Sequence, residues 1–359
     1  MRWHPYRVPL PGRFTSAHEA LATREGIIIE VETCAGIIGI GECAPLPAFS
    51  GGTLADALLS LPSVVRLVRG ETLLAVLEML KVVHGAISAV TSYGLETALL
   101  DALGQSYGCS IAALLAPETS LRDVVTVNAV IGAQAQAMAV AQAVEAVEAG
   151  FSCVKLKLGH DTVASSELVE AVRTALGPTP HLRLDANESW DFATARAILL
   201  TCERFDIQYV EQPLSRHDLH GMAELRHLTS IPLAADEMLS DLTSARRVLD
   251  AHAADILIVK PQLAGGLRLG LQIIREATAR GVRCVVTSTI ETGIGVCSAL
   301  QLAAACPEID LECGLVTLSL LADDLIEEGL PVSRGHMTVP VNHGLGVSLD
   351  QRALLIYRR

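Results

Sequence analysis

The sequence predicts an α/β protein, a (β/α)8 barrel of the TIM type preceded by an α+β region. Two observations carry this reading. From residue 124 onward, short apolar runs alternate with segments of helical period, the pattern of a parallel β/α architecture. Polar residues also recur at the C-terminal ends of those runs, at intervals of about one β/α unit, where a barrel of this kind builds its site.

Taken in order, the first 50 residues hold β-type runs punctuated by glycine, GIIIEVET from Gly26 and GIIGIG from Gly36, followed by a prolyl segment at 44–49. They predict a small antiparallel sheet. Over 54–115 the period becomes helical, with Leu95, Ala98, Leu99, Ala102 and Leu103 on one face. Residues 117–122 form a plausible seam. Eight candidate strands follow, at 125–130, 153–158, 182–186, 207–212, 233–237, 255–260, 283–289 and 311–315. Helical stretches fill the intervals, among them 133–149, 165–176, 194–204 and 267–279. Eight strands with interposed helices favour a closed barrel over an open sheet. The last 30 or so residues fit no further β/α unit and are expected to pack back on the first domain. The division is therefore 1–120, 121–325 and 326–359.

The 359 residues are ample for two domains or one large barrel, and half of them are hydrophobic against 19% charged, so disorder is not the theme. A formal charge of -13 opposes nucleic acid and anionic membrane surfaces as partners and leaves a small-molecule substrate that is metal-bound or locally neutralised easier to accommodate. The nine cysteines are odd in number and never form a C-x-x-C pair, which predicts neither a disulfide framework nor a zinc ribbon and suits a reducing cytoplasm. MRWHPYRVPLPGRF has no apolar core of a secretory signal. The uncharged stretch 124–144 is interrupted by Asn128, Gln134, Gln136 and Gln142, so it reads as strand then helix and not as a membrane span. The composition leaves room for a homo-oligomer.

Lys157, Asp185, Glu211, Asp236, Lys260 and Ser288 follow one another at intervals of 28, 26, 25, 24 and 28 residues. In a closed barrel they converge on one pocket. Taken singly, each acid is as readily a structural ion pair or a helix cap. Three carboxylates brought together repel unless a positive charge sits among them, and an all-oxygen donor set without Cys or His points to Mg²⁺, for which Mn²⁺ can substitute. Lys155 and Lys157 stand at i and i+2 in VKLKL, so both ammonium groups share a face. A barrel strand has no solvent face, so both lysines enter the interior. Like charge and partial desolvation are expected to lower the pKa of Lys157 toward that of a neutral base, with Lys260 approaching from across the barrel. A carboxylate substrate then has its α-proton made removable by the cation. Asn187 shares the face of Asp185 and is expected to hold a metal ligand in place or to contact substrate, or equally to cap a strand-end turn. Glu237 would point away from the site unless the strand ends before it. Ser288 and Thr289 precede a helical stretch whose free N–H groups suit a substrate carboxylate, although a plain capped helix start fits as well.

At VKLKLG (154–159), RLDANESW (183–190), VEQPL (210–214), AADE (234–237) and IVKP (258–261) the chain resembles the enolase superfamily, muconate-lactonizing subgroup. The likeness extends to REGIIIEV (24–31), GIGECAPLP (39–47), GLETALLDALGQ (94–105), TSTIETGIG (287–295) and CGLVTLSLLADDL (313–325). It implies a modified (β/α)8 barrel under an α+β capping domain built from both termini, with Mg²⁺ held by Asp185, Glu211 and Asp236. A Lys or His base acting beside a metal-stabilised ene-diolate is the superfamily's established pattern. On that pattern Lys157 removes the α-proton, Lys260 stabilises the enediolate, and Lys155 tunes Lys157 and orients the carboxylate. GECAPLP and CGLVTLSLLADDL are most similar to the branch that dehydrates 2-succinyl-6-hydroxy-2,4-cyclohexadiene-1-carboxylate in menaquinone biosynthesis. Racemisation of N-acylamino acids remains an alternative, as does a barrel that binds metal without catalysis. Dipeptide epimerases of the subgroup carry Asp-x-Asp after the last strand, where this chain has LECGL from Leu311. The loops at 13–17 and 45–51 are expected to close over the substrate.

Overall fold

The computed structural model describes residues 1–15, 20–47, 52–83, 87–132 and 135–359. The N-terminal part opens with an antiparallel sheet of β1 (Arg2–Thr15), β2 (Ala20–Glu32) and β3 (Ile38–Cys43). Helices α1 (Leu54–Val68), α2 (Leu73–Val83), α3 (Ala89–Tyr107) and α4 (Ile111–Leu115) follow. Thr53 and Asp56 form a reciprocal capping box at the start of α1. Every residue of α3 from Val90 to Gly104 is buried, as befits a helix enclosed on all sides. It lies directly on β3, because a Cβ at Gly41 would strike the Gly94 carbonyl and one at Gly39 the Ala98 carbonyl. Glycine at these positions lets strand and helix backbones touch.

The parallel sheet runs in the order β11-β10-β9-β8-β7-β6-β5. Its members are β5 (Ala129–Ile131), β6 (Cys153–Lys157), β7 (His181–Asp185), β8 (Ile207–Glu211), β9 (Leu233–Ala235), β10 (Ile256–Val259) and β11 (Arg283–Val286). Between them come α5 (Gln136–Glu148), α6 (Thr162–Leu176), α7 (Phe192–Cys202), α8 (Leu219–Leu228), α9 (Leu242–Asp250), α10 (Pro261–Ala264) and α11 (Leu267–Thr278), with α12 (Gly293–Ala304) after β11. Asp161, Asp191, Asp218 and Asp241 cap α6 to α9 with their side chains.

Two of the eight expected strands differ from prediction. The first divides into β4 (Val124–Thr126) and β5, because the chain turns from an antiparallel partner to a parallel one at Val127 and Asn128. The eighth, expected over 311–315, is reduced to two parallel bridges, Val127 with Cys313 and Thr287 with Gly314. Backbone bonds from Asn128 N to Cys313 O and from Gly314 N to Val286 O carry the ring across this gap.

The tail contributes β12 (Val332–Ser333), β13 (His336–Thr338) and α13 (Gln351–Tyr357). β13 pairs with β4. Beyond it, Leu345 N donates to Asp101 of α3, and Arg358 bridges to Tyr6 of β1. All nine cysteines are free thiols. Among the described residues no helix is long and apolar enough to cross a membrane.

The barrel interior is filled by Tyr209, Ala234, Ile256, Ile258, Val285 and Leu311, and by Arg183, which is 0% exposed. The Arg183 guanidinium donates to Glu312 Oε2 at 2.6 Å, to the Glu312 carbonyl at 2.7 Å and to Asn128 at 3.2 Å, and it lies over the Tyr209 ring. Burial works to raise the pKa of Glu312, but Arg183 and the His181 contact prevail and hold it below the usual carboxylate range. Because the folded value is depressed, this stabilisation is present above the unfolded pKa of about 4.3 and is lost as pH falls through the folded value. Glu312→Gln is expected to cost about 3 kcal/mol at pH 7 and to flatten the acid limb of stability. Urea unfolding between pH 7 and pH 3 measures both, and identical acid limbs in variant and parent would refute the assignment.

Candidate active site

Each strand from β6 to β10 delivers one polar residue at its C-terminal end. Lys157, Asp185 and Glu211 are the last residues of β6, β7 and β8, and they are neighbours in register. Asp236 and Lys260 come one residue beyond β9 and β10 respectively, each two positions nearer the barrel mouth than Ala234 and Ile258, which line its interior. Asp185, Glu211 and Asp236 are buried. The regular spacing in the sequence thus becomes a single constellation.

The lysines meet the carboxylates directly. Lys155 Nζ lies 3.1 Å from Asp185 Oδ2 and donates at 3.0 Å to Glu211 Oε1. Lys157 Nζ lies 3.9 Å from Asp185 Oδ2, and Lys260 is ion-paired with Asp236. Burial opposes charge at Lys155, yet Asp185 and Glu211 outweigh it and raise its pKa well above the ordinary lysine range. At Lys260 burial is likewise overcome, chiefly by Asp236, and the pKa is raised. The like-charge effect expected of the lysine pair is therefore outweighed at Lys155 by the acids around it. Burial pushes Glu211 up to about 7 against the pull of Lys155. Asp185 moves the other way, because Lys155 and Lys157 more than offset its burial.

Asn187 and Glu237 belong to the same network. Lys157 Nζ donates to Asn187 Oδ1 at 3.1 Å, and Asn187 Nδ2 donates to Glu237 Oε1 at 3.0 Å. β9 ends at Ala235, which frees Glu237 from strict alternation and turns it toward Asn187. Burial, then the neighbouring Asp236, push Glu237 up to about 8. Asn187, Glu188, Gln212 and Ile290 all have positive φ, so backbone strain collects at the strand ends around the site.

Ser288 Oγ and Thr317 Oγ1 share a hydrogen bond of 2.9 Å. Thr289 Oγ1 donates to Glu291 Oε1 at 2.8 Å and accepts from Gln262 at 2.6 Å, so its hydroxyl is engaged on both sides. The expected anion cradle at the start of α12 is taken by a group of the chain itself. Glu42 of β3 accepts from Thr292 N, Thr292 Oγ1 and Gly295 N at 3.0, 2.7 and 2.9 Å, and Thr289 N donates to Glu291. Of the loops expected to cover the substrate, at 13–17 and 45–51, residues 16–17 and 48–51 lie outside the described residues.

Several residues with evident roles escape a reading by strand ends. Gln212 Oε1 accepts from Asp236 N at 3.0 Å and orients the turn that bears Asp236. Arg24 donates to the carbonyls of Ile290, Pro45 and Ala44. The signals for Arg24 and Glu42 in the sequence are a charged residue beside apolar runs of the N-terminal sheet and their place in REGIIIEV and GIGECAPLP.

Among the described residues no three or more His, Cys, Asp or Glu side chains are gathered as a ready-made metal cluster. The donor set nonetheless suits a hard cation, being made of buried carboxylates of which Glu211 Oε2 has no hydrogen-bond partner.

Residues 138–353, more than half of the chain, match the family model described as enolase C-terminal domain-like, and residues 1–98 match the MenC N-terminal domain. The chain belongs to the enolase superfamily. Among its relatives is the o-succinylbenzoate synthase of Thermobifida fusca (strain YX), 38% identical over 239 residues, which cover 65% of this chain and 71% of that protein. The L-Ala-D/L-Glu epimerase of Bacillus subtilis (strain 168) is 29% identical, over 95% of this chain and 93% of that one. The crystal structure of dipeptide epimerase from Enterococcus faecalis V583, complexed with Mg and the dipeptide L-Leu-L-Tyr, superposes with a TM-score of 0.90 at 26% identity, covering 97% of this chain and 98% of that one. The barrel with its N-terminal α+β part is thus the fold of the superfamily.

Calorimetric titration with Mg²⁺ is expected to show binding that Glu211→Gln weakens by roughly a hundredfold or more. Unchanged affinity in that variant would remove Glu211 from the ligand set.

Proposed function

We propose that the protein is a Mg²⁺-dependent dehydratase, converting 2-succinyl-6-hydroxy-2,4-cyclohexadiene-1-carboxylate to 2-succinylbenzoate in menaquinone biosynthesis. The observation that carries the chemistry is the placement of Lys157 and Lys260 at opposite ends of a row of three buried acids, on β6 and after β10. Support for this reaction over others comes from the match of residues 1–98 to the MenC N-terminal domain and from the similarity to a synthase of that product.

On this reading Asp185, Glu211 and Asp236 hold Mg²⁺, or Mn²⁺ in its place. The cation supplies charge that favours the enediolate left when a carboxylate substrate loses its α-proton. Lys157 Nζ takes that proton, held in position by its bond to Asn187. Lys260, kept protonated by the acids beside it, places positive charge against the developing anion from across the barrel. Lys155 stays charged between Asp185 and Glu211 and fixes the separation of those two acids. Departure of the hydroxyl as water from the Lys157 side completes the conversion and leaves an aromatic ring. Ser288 and Asn187 contribute contacts to the substrate, whereas the Thr289 hydroxyl is already engaged by Gln262 and Glu291. We also propose the division into a capping domain (1–120), a catalytic barrel (121–325) and a returning segment (326–359), and residence in the cytoplasm, with homo-oligomers allowed.

Racemisation of N-acylamino acids is the second reading. It needs the same two lysines to take and return a proton on opposite faces of the carbon, and the epimerases among the relatives favour keeping it in view.

Purified protein with Mg²⁺ is expected to dehydrate the cyclohexadiene carboxylate efficiently, with little racemisation of N-succinyl amino acids in deuterated water. Exchange and racemisation without dehydration would replace the first reading by the second. EDTA is expected to abolish turnover and added Mg²⁺ to restore it. Lys157→Ala and Lys260→Ala are each expected to lose turnover while folding normally by circular dichroism, and activity retained in either would overturn the two-lysine mechanism.

A further inference from the structure

Gln262 stands two residues after Lys260, inside the short helix α10, and is 0% exposed. Its amide makes three hydrogen bonds, none of them to its own helix. Oε1 accepts from Ala44 N at 2.9 Å, and Nε2 donates to Ala44 O at 2.9 Å and to Thr289 Oγ1 at 2.6 Å. The side chain thus pairs with Ala44 as a neighbouring strand would, engaging both its N–H and its C=O. Ala44 directly follows β3. The same carbonyl accepts from Arg24, whose guanidinium also holds Pro45 O and the strained Ile290 at φ 62°. One buried amide therefore joins three pieces of chain: the end of the N-terminal sheet, the turn after β11, and the helix whose N-cap residue is Lys260.

The mechanical consequence falls on Lys260. As the N-cap residue, with Pro261 fixed in the first turn and its own carbonyl accepting from Leu263 N and Ala264 N, Lys260 shares a rigid corner with Gln262. A buried amide left without partners is costly for each unmet group, so α10 cannot slide away from Ala44 freely. The neighbouring segment is pinned as well, since Glu96 of α3 accepts from Arg268 Nε at 2.6 Å.

We propose that Gln262 is a positioning residue, coupling the Ala44–Pro45 segment of the N-terminal part to the placement of Lys260 over the reacting carbon. The role rests on the lysine mechanism given above. It makes the N-terminal part a determinant of catalytic geometry as well as a cover. A residue whose work is packing alone would, on substitution, lower stability and leave the Lys260 ammonium where it is. A positioning residue moves that ammonium.

Gln262→Leu in the full chain removes the three bonds at nearly constant volume. With Mg²⁺, kcat is expected to fall by roughly tenfold or more while KM changes by less than about threefold. In metal-free protein, the Ala44 amide is expected to exchange with solvent faster. The ¹⁵N–¹H signal of the Lys260 ammonium, identified by its loss in Lys260→Ala, is expected to shift, while that of Lys155 stays in place. Unchanged kcat, or an unmoved Lys260 signal beside a simple loss of melting temperature, would overturn the proposal. Gln262→Met, unbranched and adaptable, serves if the leucine variant fails to fold. Should the parent protein prove inactive on the cyclohexadiene carboxylate, the proposed reaction falls, but the exchange and ammonium signals still decide whether the coupling exists.

Discussion

The structure is organised around one electrostatic constraint, the burial of several carboxylates at the ends of adjacent strands. Asp185, Glu211, Asp236 and Glu237 are each no more than 7% exposed, and an isolated ionised carboxylate is costly to bury. Lys155 and Lys157 on β6 and Lys260 just after β10 answer that cost by pairing with Asp185, Glu211 and Asp236. The opposed shifts of Asp185 and Glu211 follow from this. Asp185 meets two ammonium groups, whereas Glu211 keeps one oxygen orphaned. A site in which buried charges are balanced in this way responds strongly to any added cation or anion.

The barrel and its five central residues were legible because parallel strands impose a repeat. One residue per β/α unit at intervals of 24 to 28 survives the translation into three dimensions, since each strand ends at the same face. The i, i+2 lysines were legible for a similar reason, strand alternation having only one inward face. Less could be read where long-range contacts decide. Glu42 and the helix it caps are 250 residues apart, and Gln262 and Ala44 are separated by 218. No local period links such pairs. The start of α12 looked open to a ligand for the same reason, because its Ser, Thr and Gly residues do not disclose that a distant carboxylate already sits there. The split first strand and the reduced eighth were also hidden, since an apolar run states its preference for extended backbone and not which partner it will find.

The N-terminal part does more than cover the barrel. Arg24 reads out three backbone carbonyls from two parts of the chain, and Glu42 reaches across to the first turn of α12. Both contacts end on the segment after β11, which carries Ser288 and Thr289. Variation in the N-terminal sheet therefore reaches the segment after β11 through hydrogen-bonded backbone.

The reduced eighth strand has a consequence for how the molecule is made. Seven strands pair in sequence order, each with the one before it, so they can add one at a time as the chain emerges. Closing the ring instead requires Val127 to meet Cys313, 186 positions later, and that contact is a pair of single bridges rather than a ladder. The entropy of bringing such distant segments together must be met before the bridges reward it. Closure of the ring thus depends on the long-range contact between Val127 and Cys313, whereas Thr287 and Gly314, 27 residues apart, meet within one β/α unit.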